Sequence, residues 1–527
     1  MALRNDLHEL TTAVTDLLVI GGGVYGLCAA WEAARRGLSV LLLERGDFGE
    51  ATSSNSLHTM HGGLRYLQHL DLRRMRESIS ERRFWLQAAP DLVSPLGFVL
   101  PTHGHGLRGP EAMRTALALN DLISADRNRD VQEKNHLPRG RQLSRREAAS
   151  HLGALQIEGN NGAALWYDGF NRSPERMLIS LLRAGRLEGA RYLNYCPVEE
   201  LSVQDARVVG VWARELTSGE TLPLRARYVL NAAGPWVDAI AQMAGRRSNQ
   251  PLFRPSKALN LVVPRLPLDL AIGVPVPRKG RESDAVLDKG SVTYFLMPWG
   301  RFSLIGTKHL HFHGNADTLR ADAQDVTDFL AEINPVLGPH QLRFDDVVAV
   351  KCGLLPEWGR ERDGDVVLQK HGRIVDHAQE DGISGLMSIV GVKWTTARLV
   401  AQQAIQRICR QLKRPDALRA QAPWPDLRDR QTGGSPLVSD SSASESAFEL
   451  AAREELAVHL ADAVFRRTDL WLSRDLSYDI LRRAAESMAS SLGWSEQQIE
   501  TEIGATLSAL ERRQCWREGR LPLQKAG

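Results

Sequence analysis

The fold is indicated by residues 16–45, which read DLLVIGGGVYGLCAAWEAARRGLSVLLLER. Residues 17–20 form a short apolar run that is typical of a buried parallel strand. Residues 27–36 have the composition and length of a helix, and residues 38–43 supply a second apolar strand. A strand, a glycine-rich turn, a helix and a strand in this order predict the first βαβ unit of a doubly wound α/β sheet.

The turn of this unit carries the G-x-G-x-x-G pattern at Gly21, Gly23 and Gly26. In this pattern the first glycine allows a tight turn, the second lets the backbone approach a pyrophosphate, and the third lets the helix pack on the strand. Glu44 ends the second strand, where a carboxylate can accept hydrogen bonds from ribose hydroxyls. Because the strand, the helix and the acid all stand in register, the unit predicts a dinucleotide-binding domain.

The bulk composition is that of a large globular protein. The chain has 527 residues, which predicts two or three domains rather than one core. Hydrophobic residues make up 43% of the chain and charged residues 24%, which argues against a disordered or fibrous protein. The 66 basic residues are nearly balanced by 63 acidic ones, so the net charge of +3 gives no indication of a nucleic-acid partner.

Cysteine usage favours a reducing compartment. The cysteines are odd in number, far apart and without a C-x-x-C pair, so we expect reduced, structural thiols and no metal site. They are Cys28, Cys196, Cys352, Cys409 and Cys515. No secretory signal is visible, and the apolar stretch 17–31 is too short and too rich in glycine for a membrane span. We therefore expect a cytoplasmic protein.

Strand-forming sequence recurs in the middle of the chain. Residues 228–236, YVLNAAGPW, predict a buried strand that ends in a small-residue turn at Gly234, where backbone can come close to a ligand. Residues 258–310 are again rich in strand-forming sequence and suggest a separate antiparallel sheet. Residues 385–398, GLMSIVGVKWTTAR, repeat the order of strand, glycine turn and helix start.

The C-terminal part of the chain differs in composition. Residues 423–446 are rich in Pro, Gly and Ser, which is typical of a linker. The following residues have helical periodicity, and Ser495 with Gln498 resembles a capping box. We predict a body at 1–423 with an inserted substrate-binding domain at roughly 250–350, a linker at 424–446 and a helical domain at 447–527.

Two motifs after the dinucleotide unit, ATSSNS at 51–56 and HGGLRYL at 61–67, are far more specific than the glycine pattern. On these motifs the chain resembles the FAD-dependent glycerol-3-phosphate dehydrogenases. The resemblance continues almost end to end, through Glu81-Arg82, Ala89-Pro90, Leu100-Pro101, Tyr167-Asp168-Gly169, residues 231–236, Ile305-Gly306-Thr307, residues 391–398, Asp462 and Arg466-Arg467-Thr468. It implies an α/β fold with a Rossmann-type FAD-binding domain, an antiparallel-sheet substrate domain and a C-terminal helical domain.

FAD is the expected cofactor. The hydroxyls of Thr52, Ser53 and Ser54 are suited to hydrogen-bond the flavin diphosphate, and Gly62 and Gly63 to let backbone lie against the isoalloxazine ring. The resemblance implies that the backbone of Val198 meets the adenine and that residues 393–395 follow the pyrimidine side of the flavin. The residues expected at the cofactor are Gly21, Gly23, Gly26, Glu44, Arg45, Thr52, Ser53, Ser54, Gly62, Gly63, Leu64, Val198, Gly234, Lys393, Trp394 and Thr395.

A phosphorylated polyol requires cations to hold its phosphate. The resemblance implies that Arg65, Tyr66 and Lys393 bind substrate, and Lys370 stands near another basic position of the family. The expected substrate contacts are Arg65, Tyr66, Asn260, Lys308 and Lys370.

Three positions depart from the family pattern. Leu355 stands where the family has a phosphate-binding arginine, and Asn260 stands where it has a histidine. Lys308 and His309 replace a Thr-Asp pair, which brings a cation and an imidazole toward the expected site. An amide cannot accept a proton near neutral pH, so a group other than Asn260 must act as the general base.

The candidates for that base are His61, Lys393 and His309, and His58 is an alternative to His61. The residues leave this choice open. The resemblance implies that such a base takes the hydroxyl proton of sn-glycerol 3-phosphate while a hydride passes to flavin N5, giving dihydroxyacetone phosphate. Electrons then leave to a quinone or to another acceptor such as oxygen.

Two other functions remain open. Loss of the arginine at Leu355 is compatible with an FAD-dependent dehydrogenase or oxidase of a different polyol phosphate, a 2-hydroxy acid or an amine. A flavin-binding partner protein without turnover is the third hypothesis. Reduction of the bound flavin by any candidate substrate would exclude that third hypothesis.

Membrane attachment is a further expectation from the resemblance, since the family docks on one leaflet. Five arginines crowd the predicted helix after Arg65, namely Arg73, Arg74, Arg76, Arg82 and Arg83. Attachment of this kind needs both apolar and basic surface. The alternatives are a peripheral protein on the inner face of the membrane and a solvated helix whose arginines are balanced by glutamates.

Overall fold

The computed structural model describes residues 7–106, 109–277, 291–359, 366–414, 427, 445–473 and 476–517. Its strands, in chain order, are β1 Val14–Ile20, β2 Val40–Leu43, β3 Thr59–Met60, β4 Val93–His103, β5 Arg141–Ser144, β6 Asn160–Asn171, β7 Arg191–Leu193, β8 Val198–Gln204, β9 Arg207–Arg214, β10 Thr221–Asn231, β11 Arg254–Pro264, β12 Ala271–Pro277, β13 Ser291–Trp299, β14 Phe302–His311, β15 Ala349–Glu357, β16 Arg373–Asp376 and β17 Leu386–Val390.

Its helices, in the same order, are α1 Leu7–Thr12, α2 Val24–Ala34, α3 Leu72–Ala88, α4 Pro110–Ile123, α5 Arg145–Leu152, α6 Pro174–Leu187, α7 Val237–Met243, α8 Ala323–Leu337, α9 His377–Glu380, α10 Ala397–Gln411, α11 Glu445–Arg453, α12 Leu460–Asp462, α13 Tyr478–Leu492 and α14 Glu496–Arg513. Within these described ranges, no helix combines the length and the apolar composition that crossing a bilayer requires.

The first sheet has a parallel centre of five strands in the order β7-β2-β1-β10-β17. Strand β16 pairs antiparallel with β17 at one edge, and β8 and β9 form a meander on β10. Side chains alternate between two cores: Val19 and Leu42 face α2, α6 and α10, while Leu18 and Leu41 face residues of β8 and β9. Burial of both faces explains why these strands read as continuous apolar runs.

The predicted βαβ unit is confirmed, with shifted boundaries. Helix α2 begins at Val24, three residues before the predicted start, because Gly23 caps it. It ends at Ala34, and Gly37 with φ +77° turns the chain toward β2. The second strand is therefore shorter than predicted and begins at Val40.

The second sheet is wider than residues 258–310. Its main path runs β15-β11-β14-β13-β12-β4-β6-β3, with β5 on β6, and its neighbours pair antiparallel except for β4 and β12. Strands β3 to β6 come from residues 59–171, so this sheet also draws on chain outside the predicted range of roughly 250–350. Its core includes Leu261, Tyr294 and Phe329 of α8.

The last helices pack around a core of their own that includes Leu460, Leu481, Met488 and Ile503. Helix α14 begins with the predicted capping box, in which Ser495 and Gln498 each accept from the other's backbone N–H. The α/β architecture with a second, mainly antiparallel sheet and a C-terminal helical region is thus confirmed. The predicted linker lies outside the described residues, except for Leu427 and the first two residues of α11.

Buried ion pairs join these helices to the first sheet. Asp47, in the loop after β2, accepts hydrogen bonds from both Arg466 and Arg467, with Arg467 Nη2 at 2.8 Å from Asp47 Oδ1. Arg176 of α6 holds Glu455 through two nitrogens, at 2.8 and 3.0 Å. All of these side chains are almost fully buried, so neither charge of a pair has water as an alternative partner.

Candidate functional site

Two of the three glycines in the turn stand where a side chain would clash with backbone atoms. A Cβ at Gly26 would lie 1.8 Å from the carbonyl oxygen of Gly21, which is why the third position of the pattern must be glycine. Gly21 has φ +105°, and a Cβ there would lie 2.7 Å from the carbonyl oxygen of Ala232 in the turn after β10. These contacts confirm that the glycines let α2 and the two turns pack together.

Gly23 lines the cavity at the glycine turn. A Cβ there would lie 3.1 Å from Ser53 Oγ, and Ser53 Oγ accepts a hydrogen bond from the backbone N–H of Val24 at 3.0 Å. The start of α2, with its backbone N–H groups, therefore opens on the cavity beside a hydroxyl. That arrangement is suited to an anionic diphosphate.

Glu44 is held by backbone at the end of β2. Its carboxylate accepts from Gly22 N at 2.6 Å and from Gly46 N at 3.0 Å. Burial raises the pKa of Glu44 above its usual range, and these two hydrogen bonds oppose that rise. Nearby, the Arg45 guanidinium lies 3.8 Å from the Trp236 ring centroid and pairs with Asp317 at 2.8 Å.

The three hydroxyls at 52–54 line the cavity but differ in their partners. Thr52 Oγ1 donates to Leu354 O and accepts from Leu354 N, both at 3.1 Å. Ser54 Oγ donates to Gly49 O at 2.6 Å. The hydroxyl of Thr52 therefore already bonds the backbone of β15 and that of Ser54 the loop at Gly49, whereas the hydroxyl of Ser53 bonds the first backbone N–H of α2.

The expectation for Gly62 is corrected. Gly62 does not line the cavity: a Cβ there would lie 2.2 Å from Arg82 Nη1, and its N–H donates to Asp168 Oδ1 at 2.6 Å. Its missing side chain makes room for the buried Arg82–Asp168 ion pair. Gly63 does line the cavity, and its φ of +82° places its Hα toward the Tyr66 ring, where a Cβ would lie 2.4 Å from the ring.

Tyr25, which lies inside the glycine pattern, holds the 391–395 loop. Its hydroxyl accepts from Val392 N and Lys393 N, both at 3.0 Å, and donates to Lys393 O at 2.8 Å. Trp394 Nε1 donates to Ser53 O at 3.0 Å. Sequence reasoning missed Tyr25, because a tyrosine at a variable position of the motif carries no signal of its own.

The same loop meets the HGGLRYL motif. His61 N donates to Thr395 Oγ1 at 3.2 Å, and the Lys393 ammonium donates to the Tyr66 hydroxyl while lying 4.3 Å from the Tyr66 ring centroid. The His61 and Tyr66 rings are 6.0 Å apart, edge to face. The structure thus brings Lys393 to His61 and Tyr66, although Tyr66 lies 327 residues before it in the chain.

Positive charge accumulates in this cluster. Burial lowers the pKa of Lys393 to about 7, and the positive charges of Arg74 and Arg65 add to the effect. Burial also lowers the pKa of His61 to about 3, with further contributions from Lys393 and Arg82. His61 is therefore neutral near pH 7, and Lys393 is present there in both protonation states.

The second sheet supplies the other wall. Asn260 lines the cavity, but its amide is already occupied: Nδ2 donates to Asn55 O at 3.2 Å, and Oδ1 accepts from Thr307 Oγ1 at 2.7 Å. Leu355, Lys370 and His309 line the cavity as well. Asn260 therefore positions neighbouring segments in addition to facing the site.

The structure contradicts the expectation for Lys308. Its side chain is buried away from the cavity, with Nζ 2.9 Å from Glu332 Oε1 of α8 and 5.6 Å from the Phe329 ring centroid. Consecutive residues of a strand point to opposite faces of the sheet. Because His309 faces the cavity, Lys308 faces α8 on the other side of β14.

His58 is also excluded as the base. It does not line the cavity, and its ring packs 4.8 Å from the Trp299 ring and 5.8 Å from the Phe170 ring. Burial, with the Lys351 charge adding to it, holds the pKa of His58 well below its usual range. His58 is a core residue.

One continuous cavity of about 1580 Å³ joins these features. The predicted residues that line it are Gly21, Gly23, Glu44, Arg45, Thr52, Ser53, Ser54, His61, Gly63, Leu64, Arg65, Tyr66, Val198, Gly234, Asn260, His309, Lys370, Lys393, Trp394 and Thr395. Its size, its glycine cradle and the acid at one end fit a dinucleotide as large as FAD. In the described part of the chain, no group of three or more His, Cys, Asp or Glu side chains is placed to hold a metal ion.

Several lining residues were not predicted. Lys351 is buried and donates to Ser54 O and to Glu175 Oε1, both at 2.9 Å. Arg466, Arg513 and Trp516 reach the cavity from the C-terminal helices. Their spacing in the sequence carries no signal, because only the docking of distant elements brings them to this cavity.

Comparison with protein families gives two matches. Residues 16–407 match the model described as FAD dependent oxidoreductase, and residues 418–499 match the model described as the C-terminal domain of alpha-glycerophosphate oxidase.

Similar proteins of known name cover most of this chain. Glycerol-3-phosphate dehydrogenase of Synechocystis sp. is 30% identical over 424 residues, which cover 78% of this chain and 73% of that protein. The human mitochondrial glycerol-3-phosphate dehydrogenase is 30% identical over 75% of this chain, which spans 52% of that relative. Alpha-glycerophosphate oxidase of Streptococcus pyogenes is 29% identical over 67% of this chain and 56% of its own length.

Two solved structures share the fold. The glycerol-3-phosphate dehydrogenase of Bacillus halodurans complexed with FAD gives a TM-score of 0.72 at 20% identity, covering 98% of this chain and 99% of that one. The L-alpha-glycerophosphate oxidase of Mycoplasma pneumoniae with FAD bound gives 0.54 at 16% identity, covering 75% of this chain and 95% of that one.

Proposed function

This chain belongs to the family of FAD-dependent oxidoreductases, and from that premise we propose that it oxidises sn-glycerol 3-phosphate to dihydroxyacetone phosphate. In this reaction the C2 hydroxyl loses a proton to a base, and C2 loses a hydride as its C–O bond becomes a carbonyl. When bound, FAD would accept that hydride at N5 and pass the two electrons on to a second acceptor. The relatives named glycerol-3-phosphate dehydrogenase support this choice of substrate.

The single observation that carries the proposal is the joining of two features in one cavity. The glycine cradle with Glu44 lies at one part of it, and the cations Arg65 and Lys393 with Tyr66 lie at another. A site for a dinucleotide next to a site for an anion is what oxidation of a phosphorylated alcohol requires.

We assign proton acceptance to Lys393. A general base works best when its pKa lies near the working pH, and the pKa of Lys393 is lowered to about 7. The hydroxyl of Tyr66 is held by Lys393, and burial raises its pKa to about 12, so it keeps its proton. His61, with its pKa lowered to about 3, serves as a neutral hydrogen-bonding group that orients the substrate hydroxyl.

Anaerobic reduction of the bound flavin tests the substrate. The purified enzyme is mixed with glycerol 3-phosphate, other polyol phosphates, 2-hydroxy acids and amines, and loss of flavin absorbance is recorded. We expect rapid bleaching by glycerol 3-phosphate and slow or no bleaching by the others. If only another class of compound bleaches the flavin, the substrate belongs to that class. If no compound bleaches it, the non-catalytic alternative is favoured.

A second candidate function is an oxidase, which reduces oxygen instead of a quinone. The match of residues 418–499 to the C-terminal domain of alpha-glycerophosphate oxidase favours it. The two are separated by mixing the substrate-reduced enzyme with oxygen or with a quinone analogue. Stoichiometric hydrogen peroxide at a rate matching turnover would establish the oxidase, and preferential reoxidation by the quinone would establish the dehydrogenase.

We propose peripheral membrane contact at four exposed leucines on two neighbouring segments, Leu70 and Leu72 at the start of α3 and Leu119 and Leu122 on α4, of which Leu70 is 76% and Leu122 74% exposed. The basic face expected on α3 does not support it, because Arg74 and Arg82 are buried, Arg76 and Arg83 both pair with Asp126, and Arg73 pairs with Glu77. Apolar side chains therefore carry the contact.

Co-sedimentation with anionic vesicles tests this contact. The double variant Leu70→Glu/Leu122→Glu should lose vesicle binding and keep FAD. Unchanged binding in that variant would place membrane contact elsewhere or exclude it.

A further inference from the structure

Arg74 is a buried arginine of the cavity wall that the sequence motifs did not single out as a ligand contact. It lies in the first turn of α3 and lines the cavity. Only 6% of its surface is exposed. Its guanidinium carbon lies 4.0 Å from the Tyr66 ring centroid, on the ring that Lys393 also contacts at 4.3 Å. Arg74 and Lys393 are therefore both neighbours of Tyr66.

The charge of Arg74 is only partly compensated. Asp71 Oδ2 lies 3.3 Å from Arg74 Nε without forming a hydrogen bond to it, and no other carboxylate of the described residues lies within ion-pair distance. A buried guanidinium normally has all its donors satisfied, because an unsatisfied buried donor costs stability. The arrangement leaves donors of Arg74 available to an anion in the cavity.

The electrostatics of the neighbours agree with this geometry. Burial is the main cause that lowers the pKa values of Lys393, His61 and His371, and the positive charge of Arg74 lowers them further. The acids facing Lys393 are Asp71 and Glu77, and the other cation facing it is Arg65. A cluster of cations that depress one another's protonation is stabilised when an anion binds among them.

On the wall formed by the second sheet, neither Leu355 nor Asn260 supplies a positive charge for an anion. Leu355 is apolar, and the Asn260 amide is occupied by Asn55 and Thr307. We propose that Arg74 is a phosphate-binding residue, which with Arg65 holds the phosphomonoester group of the substrate. This inference rests on the proposed function for the identity of the substrate, and it assigns the specificity for a phosphate to α3.

Binding of inorganic phosphate to the FAD-loaded enzyme, measured by titration calorimetry, tests the assignment without requiring turnover. Arg74→Leu removes the charge at the cavity. Arg73→Leu is the matched control, because the neighbouring Arg73 side chain is 89% exposed and pairs with Glu77 on the surface. We expect Arg74→Leu to weaken phosphate binding on the order of ten- to a hundredfold, as for loss of a charge-assisted hydrogen bond, and Arg73→Leu to leave it within twofold.

Kinetics with the substrate separate binding from a scaffold role. In Arg74→Leu the KM for glycerol 3-phosphate should rise by a similar factor while FAD occupancy and the unfolding temperature stay near those of Arg73→Leu. If Arg74→Leu does not retain FAD, Arg74→Gln replaces it, since glutamine keeps a polar side chain beside Tyr66 and Asp71 and removes the charge. Loss of FAD in both neutral variants would assign Arg74 to the scaffold and overturn the inference.

The remaining outcomes are also decisive. Equal phosphate affinity in wild type and in folded Arg74→Leu overturns the inference, as does a wild-type enzyme that does not bind phosphate. Failure of glycerol 3-phosphate to bleach the flavin, combined with phosphate binding that depends on Arg74, would instead overturn the proposed substrate and retain the phosphate site.

Discussion

The Lys393 ammonium donates a hydrogen bond to the Tyr66 hydroxyl and lies 4.3 Å from the centroid of its ring. This contact joins the loop after β17 to the 3₁₀ turn that follows Gly63. It places an amine with a pKa of about 7 beside the residues that we expect to hold substrate. Tyr25 bonds the backbone of the same loop from the glycine turn, so the turn and the amine are joined through one side chain.

The pH dependence of turnover should report Lys393. An amine must be neutral to accept a proton, so kcat/KM, which reflects the free enzyme, should rise as pH increases through about 7 and then level off. Lys393→Met should remove this rise and lower kcat/KM by about 10² to 10⁴-fold. Lys413→Met, at an exposed lysine after α10, should behave as wild type. A rise through pH 7 that persists in Lys393→Met would show that another group is the base.

The variant Leu355→Arg separates two explanations of why this chain lacks the phosphate-binding arginine that the family pattern has at position 355. If the substrate is glycerol 3-phosphate, Leu355→Arg should improve its apparent affinity by about 1 to 3 kcal/mol, the range for hydrogen bonds to charged groups. Leu355→Met keeps an apolar side chain of similar volume and should leave the affinity unchanged. Steady-state KM values on both variants give the comparison. Loss of all activity in Leu355→Arg, with none gained on glycerol 3-phosphate, would indicate a pocket rebuilt for a different substrate.

Retention of FAD should depend on Gly26. A Cβ at this position would lie 1.8 Å from the Gly21 carbonyl oxygen, so Gly26→Ala must displace the glycine turn from the cofactor cradle. We expect the purified variant to have lost most of its flavin absorbance at equal protein concentration. Gly504→Ala in α14 is the control, because a Cβ there meets no atom within 4 Å. Full flavin occupancy in Gly26→Ala would contradict this placement of the cradle.

The buried Asp47 pair with Arg466 and Arg467 should hold the C-terminal helices to the body. Asp47→Asn leaves two buried guanidinium groups undercompensated, for which a loss of about 3 to 5 kcal/mol is typical. The first transition in urea denaturation measures it. Glu199→Gln, which breaks an exposed pair with Arg214, should leave that transition unchanged. Equal midpoints for the two variants would show that the Asp47 pairs contribute no net stability.

The same ion pairs should make the protein acid-sensitive. Their positive charges hold the pKa of Asp47 below its usual range, despite burial. A group whose pKa is lower in the folded state contributes stability that is fully present above its unfolded pKa of about 4 and is lost as pH falls through the folded value. Wild type should therefore lose more stability at low pH than Asp47→Asn does. If the free energy of unfolding falls equally with pH in the two proteins, the acid sensitivity does not originate at Asp47.

Features that depend on neighbouring residues could be predicted from the sequence. The βαβ unit, the glycine pattern and the Ser495 capping box each arise from contacts within a few residues or within one supersecondary unit. The approach of Gly26 to Gly21 spans five residues, which is why the motif can be recognised in the chain.

The direction of side chains and the meeting of distant segments were decided by the tertiary structure. Lys308 and His309 are adjacent in sequence, yet the pleat of β14 sends one to Glu332 and the other to the cavity. Arg82 occupies the space beside Gly62 because its partner Asp168 comes from β6, 86 residues away.

The sequence by itself determined that this chain carries a dinucleotide-binding βαβ unit, because a local motif sets the backbone path of the glycine turn. Only the tertiary structure decided which cations face the cavity. Arg74 became a candidate through its contact with Tyr66, and Lys308 ceased to be one through its contact with Glu332. The physical reason is that the free energy of a charge depends on its burial and on its partners, and both are properties of the packed molecule.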